Sequence, residues 1–141
     1  EAVTYFKKSV ELEPRFQNGL LNLSNSYLRL NLPHESLKTS QKLIELSGDA
    51  PLKGPVAYTV GISLYGVGRF EEARRMLCAL AETAPGDPMV HRALAYVYVA
   101  TKQPHLALDH LRTYARLDPE AQDAEPMIDR LQKAMNRSSG S

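Results

Sequence analysis

Residues 68–120 read GRFEEARRMLCALAETAPGDPMVHRALAYVYVATKQPHLALDHLRTYARLDPE, and the same pattern runs through this stretch twice. Ala73 and Ala107 stand 34 residues apart, and each opens an amphipathic segment. Pro85 and Pro119 keep the same offset and close those segments. Within a segment the apolar residues recur at helical spacing, as in Ala73, Leu77, Leu80 and Ala81, which marks one face of an α-helix. Proline lacks an N–H and clashes with the preceding turn, so Pro85 and Pro119 end what precedes them. Gly61 and Ala95, again 34 apart, join Ala73 and Ala107 as small residues that let two helix backbones approach closely. Asp87 is placed to cap the next helix, with Pro88 in its first turn.

Three units of 34 residues align along the chain: 17–50, 54–87 and 88–121. A half unit, 1–16, precedes them; its Ala2 and Pro14 match Ser36 and Gly48. The second unit is offset from the first by 37, and the three extra residues fall in the segment 50–55, which holds two prolines and a glycine. The expected helices are 2–13, 17–30, 33–46, 54–67, 70–83, 88–101, 104–117 and 124–136. The last carries Met127, Ile128, Leu131 and Met135 on one side, as a terminal cap does in a solenoid. The first leaves Val3, Phe6 and Val10 uncovered, which predicts either upstream repeats or another molecule, including a second copy, over that end. A single domain is expected over 1–136, with 137–141 as a disordered tail or appended linker.

These residues resemble the tetratricopeptide repeat, a helix-turn-helix unit with the pattern W-x2-L-G-x2-Y, A-x3-F, P. The first full unit supplies Leu20, Leu23, Ser24, Tyr27, Ser36, Ser40 and Gly48. The second supplies Ala57, Val60, Gly61, Leu64, Ala73, Leu77 and Pro85. The third supplies His91, Leu94, Ala95, Tyr98, Ala107, Leu111 and Pro119. The half unit supplies Ala2, Phe6 and Pro14. The departures are the missing tryptophan, His91 in its place, and the polar Ser36 and Ser40. The resemblance implies an all-α, right-handed α-solenoid with a C-terminal capping helix, acting as a scaffold for protein partners.

Composition points the same way. The chain is 43% hydrophobic and 23% charged with a net charge of +1, so it has no excess of positive charge for a nucleic-acid surface. No apolar run approaches membrane-spanning length, and membrane insertion is not expected. Cys78 stands alone, which precludes an internal disulfide and favours the cytoplasm. Gly61, Gly66 and Gly68 do not follow a strand and read as packing and turn glycines, not a phosphate loop. His34, His91, His105 and His110 lack metal-ligand spacing, and the carboxylates are scattered over solvated faces. No catalytic residue, cofactor or metal is expected, and the chain does not read as an enzyme.

In tetratricopeptide arrays the first helix of each unit lines a concave groove. The resemblance places Asn18, Leu21, Asn22, Asn25 and Leu28 of the first unit there. It adds Tyr58, Thr59, Ile62 and Tyr65 from the second, and Met89, Arg92, Tyr96 and Val99 from the third. Some family members hold the acidic C-terminus of chaperones in a clamp of Lys, Asn, Asn, Lys and Arg. Only Asn25 matches it; Leu21, Thr59, Met89 and Ala93 occupy the other places, so no such ligand is expected. The tyrosines and aliphatic residues suit a peptide or protein with apolar anchors, and Arg92 is available to an acidic group on it. Three alternatives stand beside this scaffold. One is a homo-oligomer assembled through the uncovered first helix. Another is a small chaperone of the type III secretion kind, which residues 57–73 resemble. The third is a targeting module of a larger protein.

Overall fold

The computed structural model describes residues 17–47, 52 and 54–139. The half unit at 1–16, and with it the first helix and its apolar edge, lies outside the described residues. Seven helices and no strand occur among the described residues: α1 Gln17–Arg29, α2 Pro33–Ser47, α3 Gly54–Gly66, α4 Phe70–Thr83, α5 Pro88–Ala100, α6 Pro104–Leu117 and α7 Ala124–Ser139. The fold is an all-α array of helix-turn-helix repeats. α7 runs past the expected end at 136, so 137–139 are helical and not a disordered tail. No glycine or proline interrupts the sequence between Met127 and Gly140, and an established helix propagates until something stops it.

The chain divides into two compact units, with the boundary inside α4 between Met76 and Leu77. The sequence led us to expect a single domain over 1–136. Repeats touch mainly their sequence neighbours, so cohesion is local by construction.

The turns explain the period. Asn31, Gly68 and Lys102 hold equivalent places, and all three have φ in the left-handed region, at 60°, 86° and 61°. Each ends its helix in the same way. The residue's own N–H reaches back to Leu28, Tyr65 or Val99 (3.0–3.1 Å), and the next N–H reaches Tyr27, Leu64 or Tyr98 (2.8–2.9 Å). This pair of hydrogen bonds is the Schellman motif, which satisfies carbonyls the helix end would otherwise leave bare. The following helix starts within two residues, at Pro33, Phe70 or Pro104. Pro33 also fixes the close approach in the first turn: a Cβ on Gly66 would lie 2.6 Å from the Pro33 Cβ.

In the first unit α2 packs on α1, and α3 packs on both. Leu20, Leu23 and Tyr27 of α1, Leu37 and Leu43 of α2, and Val56, Val60 and Leu64 of α3 are buried. Each fully buried aliphatic side chain contributes about 1.5–3 kcal/mol. Four serines share this core with no exposed surface at all: Ser24, Ser36, Ser40 and Ser63. Their hydroxyls form a chain, Ser40 to Ser24 at 2.7 Å, Ser24 to Ser36 at 2.8 Å and Ser36 to Ser63 at 2.7 Å. Ser63 Oγ donates to the Thr59 carbonyl at 2.8 Å. With one proton per hydroxyl, the chain closes if each serine donates to the next in that order. Ser24 Oγ also lies 2.9 Å from the Ser36 carbonyl, to which its proton can turn. The polar Ser36 and Ser40, departures from the repeat pattern, are thus fully partnered.

In the second unit α5 packs on α6, and α6 on α7. Val90, Leu94 and Val97 of α5 have no exposed surface. Asp87 caps α5, accepting from the Met89 N–H at 3.0 Å, with Pro88 in the first turn. Ala124 and Ile128 of α7 join Ala95, Leu108, Leu111 and Tyr114 in one cluster, and Met127, Leu131 and Met135 pack against it. No helix among the described residues is long and apolar enough to cross a membrane.

Candidate partner-binding surface

The residues expected to line the groove fall into three groups. On α1, Asn18 and Asn22 are exposed, while Leu21, Asn25 and Leu28 are half-buried. On α3, Tyr58, Ile62 and Tyr65 are half-buried, but Thr59 is only 3% exposed. Thr59 Oγ1 donates to Asn25 Oδ1 at 3.0 Å. Thr59 is therefore a packing residue and offers no surface to a ligand, and the one asparagine that matched the clamp is engaged within the chain. Tyr65 also faces Phe70, with ring centroids 5.7 Å apart.

On α5, Met89 and Val99 are exposed at 41% and 51%. Arg92 and Tyr96 lie between them, half-buried. Arg92 stands over the Tyr96 ring, 4.9 Å from its centroid. Its Nε donates to Asp123 Oδ2 at 2.8 Å. The Tyr114 hydroxyl donates to the other oxygen, Oδ1, at 2.5 Å. Arg92, expected to be available to a ligand carboxylate, is committed to one in its own chain. The two bonds, first from Tyr114 and then from Arg92, hold the Asp123 carboxyl below its ordinary range. Burial, reinforced by the bond to Asp123, pushes the Tyr114 phenol up to about 12. This knot ties α5 and α6 to the start of α7. Spacings of 31 and 9 residues across three helices gave the sequence no local signal for it.

The histidines show a second such pairing. His91 is buried at the place of the missing tryptophan. Its Nε2 lies 2.9 Å from the Pro85 carbonyl and its Nδ1 lies 3.0 Å from Nδ1 of His110. A carbonyl can only accept, so Nε2 carries the His91 proton and His110 donates from Nδ1. The His110 ring also stacks on Tyr98, with centroids 5.5 Å apart, and the Tyr98 hydroxyl lies 3.7 Å from Cys78 Sγ. Burial, and then the neighbouring His91, lowers the His110 pKa below its usual value. No group of three His, Cys, Asp or Glu side chains among the described residues could hold a metal ion.

A cleft of about 380 Å³ opens in the second unit beside Tyr96 and Val99. Leu111 and Ala95 complete its apolar wall, and α7 supplies Met127, Arg130, Leu131, Ala134 and Arg137. The sequence presents α7 as a cap over the repeat, yet this face of the helix also forms half of a cavity.

No protein-family model matches the sequence, and no curated protein matches it at a significant level. Solved structures do. The MamA protein of Desulfovibrio magneticus RS-1, from its residue 41 onward, matches with a TM-score of 0.82 at 17% identity, over 95% of this chain and 74% of that one. The first TPR domain of human RPAP3 matches with a TM-score of 0.78 at 12% identity, over 91% of this chain and 98% of that one. A thermophilic TPR protein of Thermus thermophilus gives 0.77 at 18% identity, over 92% and 71%. With identities this low the likeness is one of fold, and in fold this chain is a tetratricopeptide-like helical-repeat protein.

Proposed function

We propose that the chain is a protein-interaction scaffold with no catalytic activity of its own, and that it binds a peptide or partner segment on the first-helix faces of its repeats. One observation carries this reading. α5 leaves Met89 and Val99 largely in solvent beside a tyrosine, where its other apolar residues Val90, Leu94 and Val97 are fully buried. Apolar side chains next to an aromatic ring with a polar tip make good anchors for a partner. On α3, Tyr58 and Ile62 offer a smaller surface of the same kind.

The test is capture of partners from the native cell lysate, read by mass spectrometry. Wild type is compared with Met89→Glu/Val99→Glu and with Tyr58→Ala/Tyr96→Ala, after circular dichroism shows all three folded. Partners retained by wild type and lost by the variants support the reading. An identical partner set from all three proteins refutes it.

A further inference from the structure

The cleft in the second unit specifies more than an apolar ligand. Met127, Arg130, Leu131, Ala134 and Arg137 recur at spacings of three and four, so one face of α7 turns toward it. Of these, Ala134 is exposed, and so are the two arginines, Arg130 and Arg137. Neither makes an ion pair or hydrogen bond among the described residues. Two acids of this region are engaged elsewhere: Asp123 by Arg92 and Tyr114, Asp129 by Lys133 at 3.0 Å. The cleft therefore has an apolar floor and a rim of two guanidinium groups that no carboxylate among the described residues pairs with. Seven residues of helix separate those groups by about 10 Å along the axis.

Resting on the scaffold reading above, we infer that this cleft takes an amphipathic helix of a partner protein, with carboxylates at i and i+7 and aliphatic residues between them at i+3 and i+4. The helical spacing reproduces the interval of about 10 Å with all four side chains on one face. An extended strand, at about 3.3 Å per residue with alternating faces, reaches it only at three residues, where the second carboxylate points away. Arg130 and Arg137 would meet the two carboxylates as forked, charge-assisted pairs. The aliphatic residues would enter between Val99 and Leu131, as helix-in-groove partners do.

The experiment selects binders to the full chain from a displayed library of helical peptides of about 20 residues, long enough to hold a helix. The expected result is convergence on acidic residues seven apart flanking Leu, Ile or Phe. Those peptides should bind Arg130→Glu/Arg137→Glu roughly tenfold more weakly, since two rim pairs become repulsions. Peptides with Lys in place of the acids should regain affinity for that variant. Convergence on peptides that the charge reversal leaves unaffected, and that Tyr58→Ala weakens, overturns the inference and leaves the scaffold reading standing. A library that yields no binder sinks both. Two further outcomes overturn the inference: binding of an RNA oligonucleotide at the same arginines, and a concentration-dependent dimer abolished by their reversal.

Discussion

Ser24→Ala tests whether the buried serines act as a connected chain. The substitution removes the hydroxyl that accepts from Ser40 and donates to Ser36. Two hydrogen bonds are lost, at about 1 kcal/mol each, and the Ser40 hydroxyl is left in a core position with no exposed surface. Stranding a buried polar group costs a further ~1–3 kcal/mol, while alanine returns roughly 0.5 kcal/mol of helix propensity. The net expectation is a loss of about 2.5–4.5 kcal/mol. Ser40→Ala in the Ser24→Ala background removes the stranded group and should recover about 1 kcal/mol or more. Replacing all four serines by alanine should be nearly neutral, because no polar group remains to be satisfied. Urea unfolding followed by far-ultraviolet circular dichroism reads these differences. With a slope of about 2 kcal/mol per molar urea, the single variant should shift the midpoint by roughly 1–2 M. The reasoning fails if Ser40→Ala deepens the loss in the Ser24→Ala background, or if the four-alanine variant costs the sum of its singles.

Lys102→Gly should stabilise the protein by about 0.5–1 kcal/mol, because it relieves a left-handed residue that Gly68 spares in the equivalent turn; thermal unfolding checks the sign. Gly66→Ala should destabilise by about 1 kcal/mol although alanine is the better helix former, since the new methyl meets the rigid Pro33 ring. A gain in denaturation midpoint would show that the turn between α1 and α2 yields freely. His110 has a pKa below its ordinary 6.5 in the folded chain. Its contribution is therefore intact above about pH 6.5 and is lost as the pH falls through that value toward the lowered one. The stability of wild type should fall more steeply between about pH 7 and 5 than that of His110→Gln, and parallel profiles would count against the histidine pair.

The order of the seven described helices, and the bounds of the first six to within a residue, were legible because they rest on short-range rules. Ala73, Ala107, Pro85 and Pro119 mark a period, and the apolar spacing between them fixes which face is buried. Asp87 and Pro88 announced a helix start that the structure shows atom by atom. The turns were partly legible: Gly68 signals a left-handed residue, whereas Lys102 and Asn31 share its conformation with weaker advertisement. The serine chain also left a trace in the sequence. Ser24 stands where the other repeats have Gly61 and Ala95, and Ser36 where they have Ala73 and Ala107. Hydroxyls at two facing small-residue positions must find each other or go unsatisfied.

The repeat and its helices follow from the sequence alone, because each depends on residues within one or two turns of chain. Which polar side chains are already spoken for is set by packing. Arg92 and Thr59 look like ligand contacts on a helical wheel, yet Asp123 and Asn25 claim them from 31 and 34 residues away. Arg130 and Arg137 belong to a helix that the sequence presents as a cap, and packing turned them toward an apolar cleft. Helical periodicity says which face a residue is on; the partners that meet it there come from distant chain segments, and their identity is set only when the helices pack.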